Sequence, residues 1–127
     1  MAKAAQLTLS LKSRPGVLAA LARTLADARV NISAISADTR VGRGRIHLVV
    51  NNPAQARRAL RGAKYRATEE MAFVVRMRNK PGALARLASR LAKARVNIKS
   101  IYATAAGRSA IVVLTVGSVA RARKILR

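Results

Sequence analysis

Between residues 6 and 12 the apolar side chains Leu7, Leu9 and Leu11 alternate with the polar Thr8, Ser10 and Lys12. This is the period-two pattern of a strand with one face buried. Pro15-Gly16 interrupts it, and from Val17 the period lengthens. Leu18, Leu21, Leu25 and Ala28 then share one helical face, with Arg23 and Asp27 off it. Proline suits such a start because its missing N–H would go unused in a first turn. Residues 33–40 and 45–50 predict two strands around the glycine-rich turn Val41-Gly42-Arg43-Gly44. Asn52-Pro53 predicts a second helix, capped by the asparagine and ending near Gly62, and residues 64–69 predict a fourth strand. Strand, helix, strand, strand, helix, strand is the split βαβ order of ferredoxin-like folds, an α+β class with helices on one side of an antiparallel sheet.

The same pattern then returns. Pro15-Gly16-Val17-Leu18-Ala19 through Ala28-Arg29-Val30-Asn31-Ile32 reappears, in order and without a gap, as Pro81-Gly82-Ala83-Leu84-Ala85 through Ala94-Arg95-Val96-Asn97-Ile98. The same offset also carries Leu7, Leu9 and Leu11 onto Phe73, Val75 and Met77, and Ile46, Leu48 and Val50 onto Val112, Leu114 and Val116. A repeat of this length is a structural unit. Each copy is small enough to be marginal alone. The second begins near Met71 with hardly a linker, so one extended segment is expected to serve both copies. A last helix from about Ser118 reaches Leu126, and the second copy is expected to lack its fourth strand unless a neighbour supplies that edge.

The strand Ile111-Val112-Val113-Leu114 is apolar on both faces and Val74 adds to the face away from the helices, where the first copy has Arg45 and His47. A strand apolar on both sides is usually covered on both. We therefore expect a homodimer that buries this face.

Charge changes the picture next. There are 26 Lys and Arg against four acids, Asp27, Asp38, Glu69 and Glu70, for a formal net charge of +22. No acid follows residue 70. Such a field draws polyanions and says nothing about fold. With no cysteine, disulfide and thiolate chemistry are excluded. No apolar run approaches the roughly 20 residues that span a bilayer. The alternation through residues 6–11 reads as a strand and not a secretory leader, so a cytoplasmic chain with no membrane partner is expected.

Two loops carry candidate chemistry, Lys12-Ser13-Arg14-Pro15-Gly16 and Arg78-Asn79-Lys80-Pro81-Gly82. Each leads into a helix start, where free backbone N–H groups and the dipole favour an anion such as a carboxylate. Gly16 and Gly82 let a ligand approach the backbone closely. Asn31 and Asn97 follow the far ends of the same helices and can both donate and accept hydrogen bonds.

A strand, x-Pro-Gly-x-Leu, an amphipathic helix and then hydrophobic-Asn-Ile resembles the ACT domain, a small-molecule-sensing module of amino-acid metabolism. Both copies match, so the resemblance covers nearly the whole chain and implies two ACT-like domains, residues 1–70 and residues 71–127, the second without a fourth strand. It further implies that the units lie side by side as one sheet and bind free amino acids between them. The residues that the resemblance nominates are Asn79, Lys80, Pro81, Gly82 and Asn97 in the second copy, and Ser13, Arg14, Pro15, Gly16 and Asn31 in the first. The chain departs from the pattern at Ser13, where the family often has Asn or Asp, and at Arg29 and Arg95, where it often has glycine. The second-copy loop is therefore the better candidate. A left-handed arginine costs ~1 kcal/mol, partly offset by a cation near a helix C-terminus.

Catalysis finds little support. His47, the single histidine, sits mid-strand, and Glu69 and Glu70 are strand neighbours whose side chains point to opposite faces. One histidine and scattered acids give no metal set, and no cofactor is implied. Gly42-Arg43-Gly44 lacks the rest of a phosphate loop. The competing reading is a basic ferredoxin-like protein binding nucleic acid or another polyanion non-specifically. RNA-reading modules on this scaffold stack bases on sheet aromatics, and here Tyr65, Phe73 and Tyr102 are the whole aromatic complement. The expected role is thus a non-catalytic sensor of a free amino acid that acts through a separate regulated protein.

Overall fold

The computed structural model describes residues 2–126. Ten elements follow one another: β1 (Ala2–Lys12), α1 (Val17–Asp27), β2 (Ile32–Arg40), β3 (Arg43–Val50), α2 (Pro53–Gly62), β4 (Thr68–Arg78), α3 (Ala83–Lys93), β5 (Ile98–Ala106), β6 (Ser109–Val116) and α4 (Val119–Ile125). The α+β class and the ferredoxin-like order are those expected. Strand and helix identity follow local composition. β3 and β6 end in Leu-Val-Val and Val-Val-Leu-Thr-Val, whose branched side chains suit a pleated surface. α3 is built from Ala, Leu, Arg and Lys, all strong helix formers, apart from one serine.

The chain divides into two compact units. One holds residues 5–70, the other residues 71–127 together with 1–4. The first has strand order β2-β3-β1, with Thr68–Glu70 of β4 next to β1. The second runs β4-β6-β5, and residues 2–4 of β1 belong to it. β1 and β4 are thus long strands whose first residues serve one unit and whose remainder serves the other. Residues 2–4 stand where the second copy has no fourth strand of its own.

In the first unit the core gathers Leu7, Leu9, Leu21, Leu25, Val30, Ile46, Leu48, Val50, Ala56 and Leu60. In the second it gathers Phe73, Leu87, Leu91, Val96, Val112, Leu114, Val116, Ala122 and Leu126. Every residue of the second set is the repeat counterpart of one in the first, so the repeat in sequence is a repeat of packing. Leu18 departs from the expected core face. It is 45% exposed, as is its counterpart Leu84 at 49%, because both sit in the first helical turn beyond the edge of the packed layer. Val113 is buried, while Val74 and Ile111 stay partly exposed. The apolar open face is therefore smaller than the sequence suggests.

Three helices end in the same left-handed motif. Arg29, Lys64 and Arg95 have φ of 59°, 65° and 58°. Arg29 N–H bonds Ala26 O and Val30 N–H bonds Leu25 O, each at 2.9 Å, and Arg95 and Val96 repeat this with Ala92 and Leu91. Two paired bonds and an apolar contact of Val30 or Val96 with the core hold a non-glycine residue in this geometry.

Candidate functional site

Each Pro-Gly segment is a type II turn joining strand to helix. Val17 N–H reaches Arg14 O, and Ala83 N–H reaches Lys80 O, both at 3.3 Å. The third turn residue is Gly16 (φ 90°, ψ −14°) or Gly82 (φ 87°, ψ −11°), the left-handed position that this turn requires. The prolines occupy the second turn position and not the first helical one expected from sequence. Each glycine is then the N-cap.

That arrangement leaves two helices open. α2 is capped by Asn52 Oδ1 accepting from Gln55 N–H at 3.1 Å, and α4 by Ser118 Oγ accepting from Arg121 N–H at 3.3 Å. Neither α1 nor α3 has a side-chain cap or an acidic residue in its first turn. The N–H groups of Leu18 and Ala19, and of Leu84 and Ala85, have no intrahelical acceptor by helix geometry. They present partial positive charge to solvent beside Arg14 or Lys80.

The turns are tied to the neighbouring hairpin. Ser13 N–H bonds Gly42 O at 2.9 Å and Ser13 Oγ lies 2.7 Å from Thr39 Oγ1. In the second unit Asn79 N–H bonds Arg108 O and Asn79 Nδ2 donates to Gly107 O, both at 2.9 Å. Asn79 thus spends its donor on holding the loop and keeps its Oδ1 as an acceptor.

Two hollows flank the first-unit turn. One, of about 180 Å³, lies toward β2 and is lined by Ser13, Arg14, Leu18, Ala37, Thr39 and Ile46, among others. The other, of about 530 Å³, lies along Pro15, Gly16, Ala20 and Tyr65. In the second unit a groove of about 360 Å³ runs along Val75, Met77, Lys80, Arg86, Leu87 and Arg90.

Asn31 and Asn97 lie elsewhere. Register places Arg78 opposite Ser109, which pairs with Ala106 on its other side, while Ile98 pairs with Val116 at the other end of the sheet. Within a unit the Asn-Ile step and the Pro-Gly turn are therefore separated by the full helix, ~16 Å for 11 residues. Asn31 N–H bonds Asn51 Oδ1 at 2.9 Å and its carbonyl accepts from Asn51 N–H at 3.0 Å. At the matching place the Asn97 carbonyl accepts from Gly117 N–H at 2.9 Å. Sequence reasoning missed Thr39 and Arg86. The first lies beyond the whole of α1 and reaches Ser13 only through the hairpin, and the second reads as one more exposed helical cation.

His47 is a structural residue of the open face. Thr8 Oγ1 and Gln6 Nε2 lie 3.0 and 3.3 Å from its Nδ1. Gln6 Nε2 can only donate, so Nδ1 accepts. Burial, then the charge of Arg45, holds its pKa below 6.5, against a smaller pull from Asp38 and Glu70. Around pH 6 the unfolded chain binds a proton that the folded chain refuses. Stability should therefore fall as pH drops through and below about 6.5 and return above it. Urea midpoints at pH 5.5 and 7.5 check this, and His47→Gln should reduce the difference. Phe73 is core and Tyr65 packs on the first core. Tyr102 is half-buried, its phenol pushed up to about 12 by burial. These aromatics make no stacking row. Among the described residues no group of His, Cys, Asp and Glu could hold a metal ion, and no helix is long and apolar enough to cross a membrane.

A family model described as an ACT domain pair matches residues 2–127. The chain is similar to protein BT0572 from Bacteroides thetaiotaomicron, with TM-score 0.92 and 26% identity over 98% of this chain and 86% of that one. It also shares its fold with the regulatory subunit of aspartate kinase from Thermus thermophilus in a ligand-free form (TM-score 0.74, 19% identity, 99% and 91% covered). The Thermus flavus subunit gives TM-score 0.72 at 16% identity, with 98% and 88% covered. No curated protein matches. The chain belongs to the ACT domain pair family, whose members serve as regulatory, ligand-binding modules.

Proposed function

We propose that this ACT domain pair binds a free amino acid at its Pro-Gly turns and passes that signal to a separate enzyme, with no catalysis of its own. The observation that carries the reading is selective capping. The helices after the two Pro-Gly turns lack side-chain caps, while the other two are capped by Asn52 and Ser118. The open first-turn amides and Arg14 or Lys80 suit an α-carboxylate. The Asn79 Oδ1, and the Ser13 and Thr39 hydroxyls, suit an ammonium group. Leu18, Ala37 and Ile46 offer apolar surface to a side chain. Asn31 and Asn97 stay in the proposal as contacts for a ligand held away from the turn of their own unit.

A thermal-shift screen of single free amino acids tests this. One or a few should raise Tm, because a ligand of the native state at 100 times its Kd adds about 2.7 kcal/mol. Leu18→Asp with Leu84→Asp places carboxylates where the ligand's would sit. The double variant should lose the shift without losing unliganded stability, since acids favour a helix N-terminus. No shift with any amino acid, or a shift surviving in the double variant, sinks the reading.

The same proposal has the chain act as a homodimer in the cytoplasm. Val74 and Ile111 offer partly exposed apolar surface on the open face of the second unit. Sedimentation velocity should give twice the chain mass, and a monomer at micromolar concentration would refute this part.

A further inference from the structure

The flank of the Pro-Gly turn that runs along the helix differs between the units. Arg86 and Arg90 on α3 stand where α1 has Ala20 and Thr24, and they line the groove of about 360 Å³ with Lys80, Val75, Met77 and Leu87. Arg76 and Arg78 also border it, but on the alternation of β4 their side chains belong to the opposite face. We propose that the second unit carries an anion site in this groove, built by Lys80, Arg86 and the first-turn amides of α3 and fitted to a small doubly charged oxyanion, a phosphate or a dicarboxylate.

Arg86 stands over the open turn: its Nη1 lies 3.5 Å from where a Cβ on Gly82 would be. Its guanidinium and the Leu84 and Ala85 amides therefore converge on one region, and a guanidinium takes an oxyanion through two parallel hydrogen bonds. Arg90 Nη2 donates to Ile125 O, so it walls the groove and holds α4. The unit made of residues 1–4 and 71–127 has no acidic residue at all. In the other unit Arg23 pairs with Asp27 and Arg57 with Glu69. The cations of the groove thus repel one another with no carboxylate between them, and a bound anion relieves that repulsion. The apolar floor of Val75, Met77 and Leu87 strengthens each charged contact. A zwitterion brings its ammonium together with its carboxylate to these cations, so charge favours a dianion over an amino acid at this turn. The volume is at the low end for small-molecule sites, too small for a nucleic-acid strand. The site shares Lys80 and the first-turn amides of α3 with the amino-acid reading, so at this turn the two ligands exclude one another; the inference does not rest on that reading, because Arg86 and the groove floor are no part of it.

Isothermal titration of the full chain with inorganic phosphate and with succinate, at ionic strength held near 0.15 M with chloride, tests the site and separates the two sources. At least one dianion should bind saturably, and alanine as a zwitterion should displace it only at concentrations well above that of the dianion. Arg86→Ala should weaken binding about tenfold or more, the loss expected for a charge-assisted contact. Arg86→Lys should recover part of it, and Arg23→Ala on α1 should change nothing. Arg86→Ala should fold, because the first unit carries alanine at the matching position, and circular dichroism checks that. Three results would overturn the proposal: equal affinity in Arg86→Ala, equal weakening by Arg23→Ala, or no saturable binding of either dianion under these conditions. A single-stranded oligonucleotide that binds through Arg86 while neither dianion binds would also overturn it, in favour of a polyanion surface.

Discussion

Leu91→Ala should destabilise the unit built on residues 71–127 by about 2–5 kcal/mol, the range for truncating a buried leucine into a cavity. Leu91 is completely buried between Phe73, Val96, Val112 and Leu114 in the second core. A unit of this size has only a few kcal/mol of stability in total, so the loss approaches the whole. Hydrogen exchange read by mass spectrometry should show peptides from β4, β5, β6 and α3 losing protection. Peptides from α1, α2 and β3 should keep theirs. The matched Leu25→Ala, equally buried in the first core, should give the mirror result. Equal loss everywhere in both variants would show that neither unit folds by itself.

Gly82→Ala should cost about 1–2 kcal/mol through the backbone alone, because an L-residue is strained at φ 87°. A Cβ there would meet only the tip of Arg86, at an ordinary 3.5 Å, so steric overlap adds little. For a unit of this size the cost corresponds to roughly 4–8 °C in Tm per kcal/mol. It should also weaken any ligand held by the first-turn amides, since relieving the strain tilts the turn away from type II. D-Alanine at position 82, introduced by semisynthesis, adopts positive φ freely and should restore stability. If L- and D-alanine destabilise alike, crowding and not backbone strain is the cause. Gly16→Ala has no neighbour within 4 Å of the added Cβ and gives the strain term undiluted.

The repeat itself, its period and the switch from alternation to helical spacing were legible in the residues. They depend on local geometry, which side-chain sequence encodes directly. The Asn52 cap belongs to the same class, since it is decided within a few residues along the chain; the left-handed Arg29 and Arg95 were marked only by the family's glycine at that place. Also local are the Pro15-Gly16 and Pro81-Gly82 turns at the helix starts, although each proline lies in the turn before the helix and not at its first position. Leu18 and Leu84 misled because helical spacing shows which face a residue shares but not where the packed layer ends.

What depended on contacts across the chain had to wait for the fold. Asn97 is separated from Gly82 by little more than α3, yet that straight helix carries it to the far end of the sheet. Asn79 has the right chemistry for a ligand but half of it is spent on Gly107, a partner that only the β5–β6 hairpin brings near. Residues 2–4 join the unit at the other end of the sequence, which no local pattern could announce. Period and propensity are short-range properties and determine the elements by themselves. Which side chains share a groove, and which amides stay open, are set by register and topology, and those belong to the tertiary structure alone.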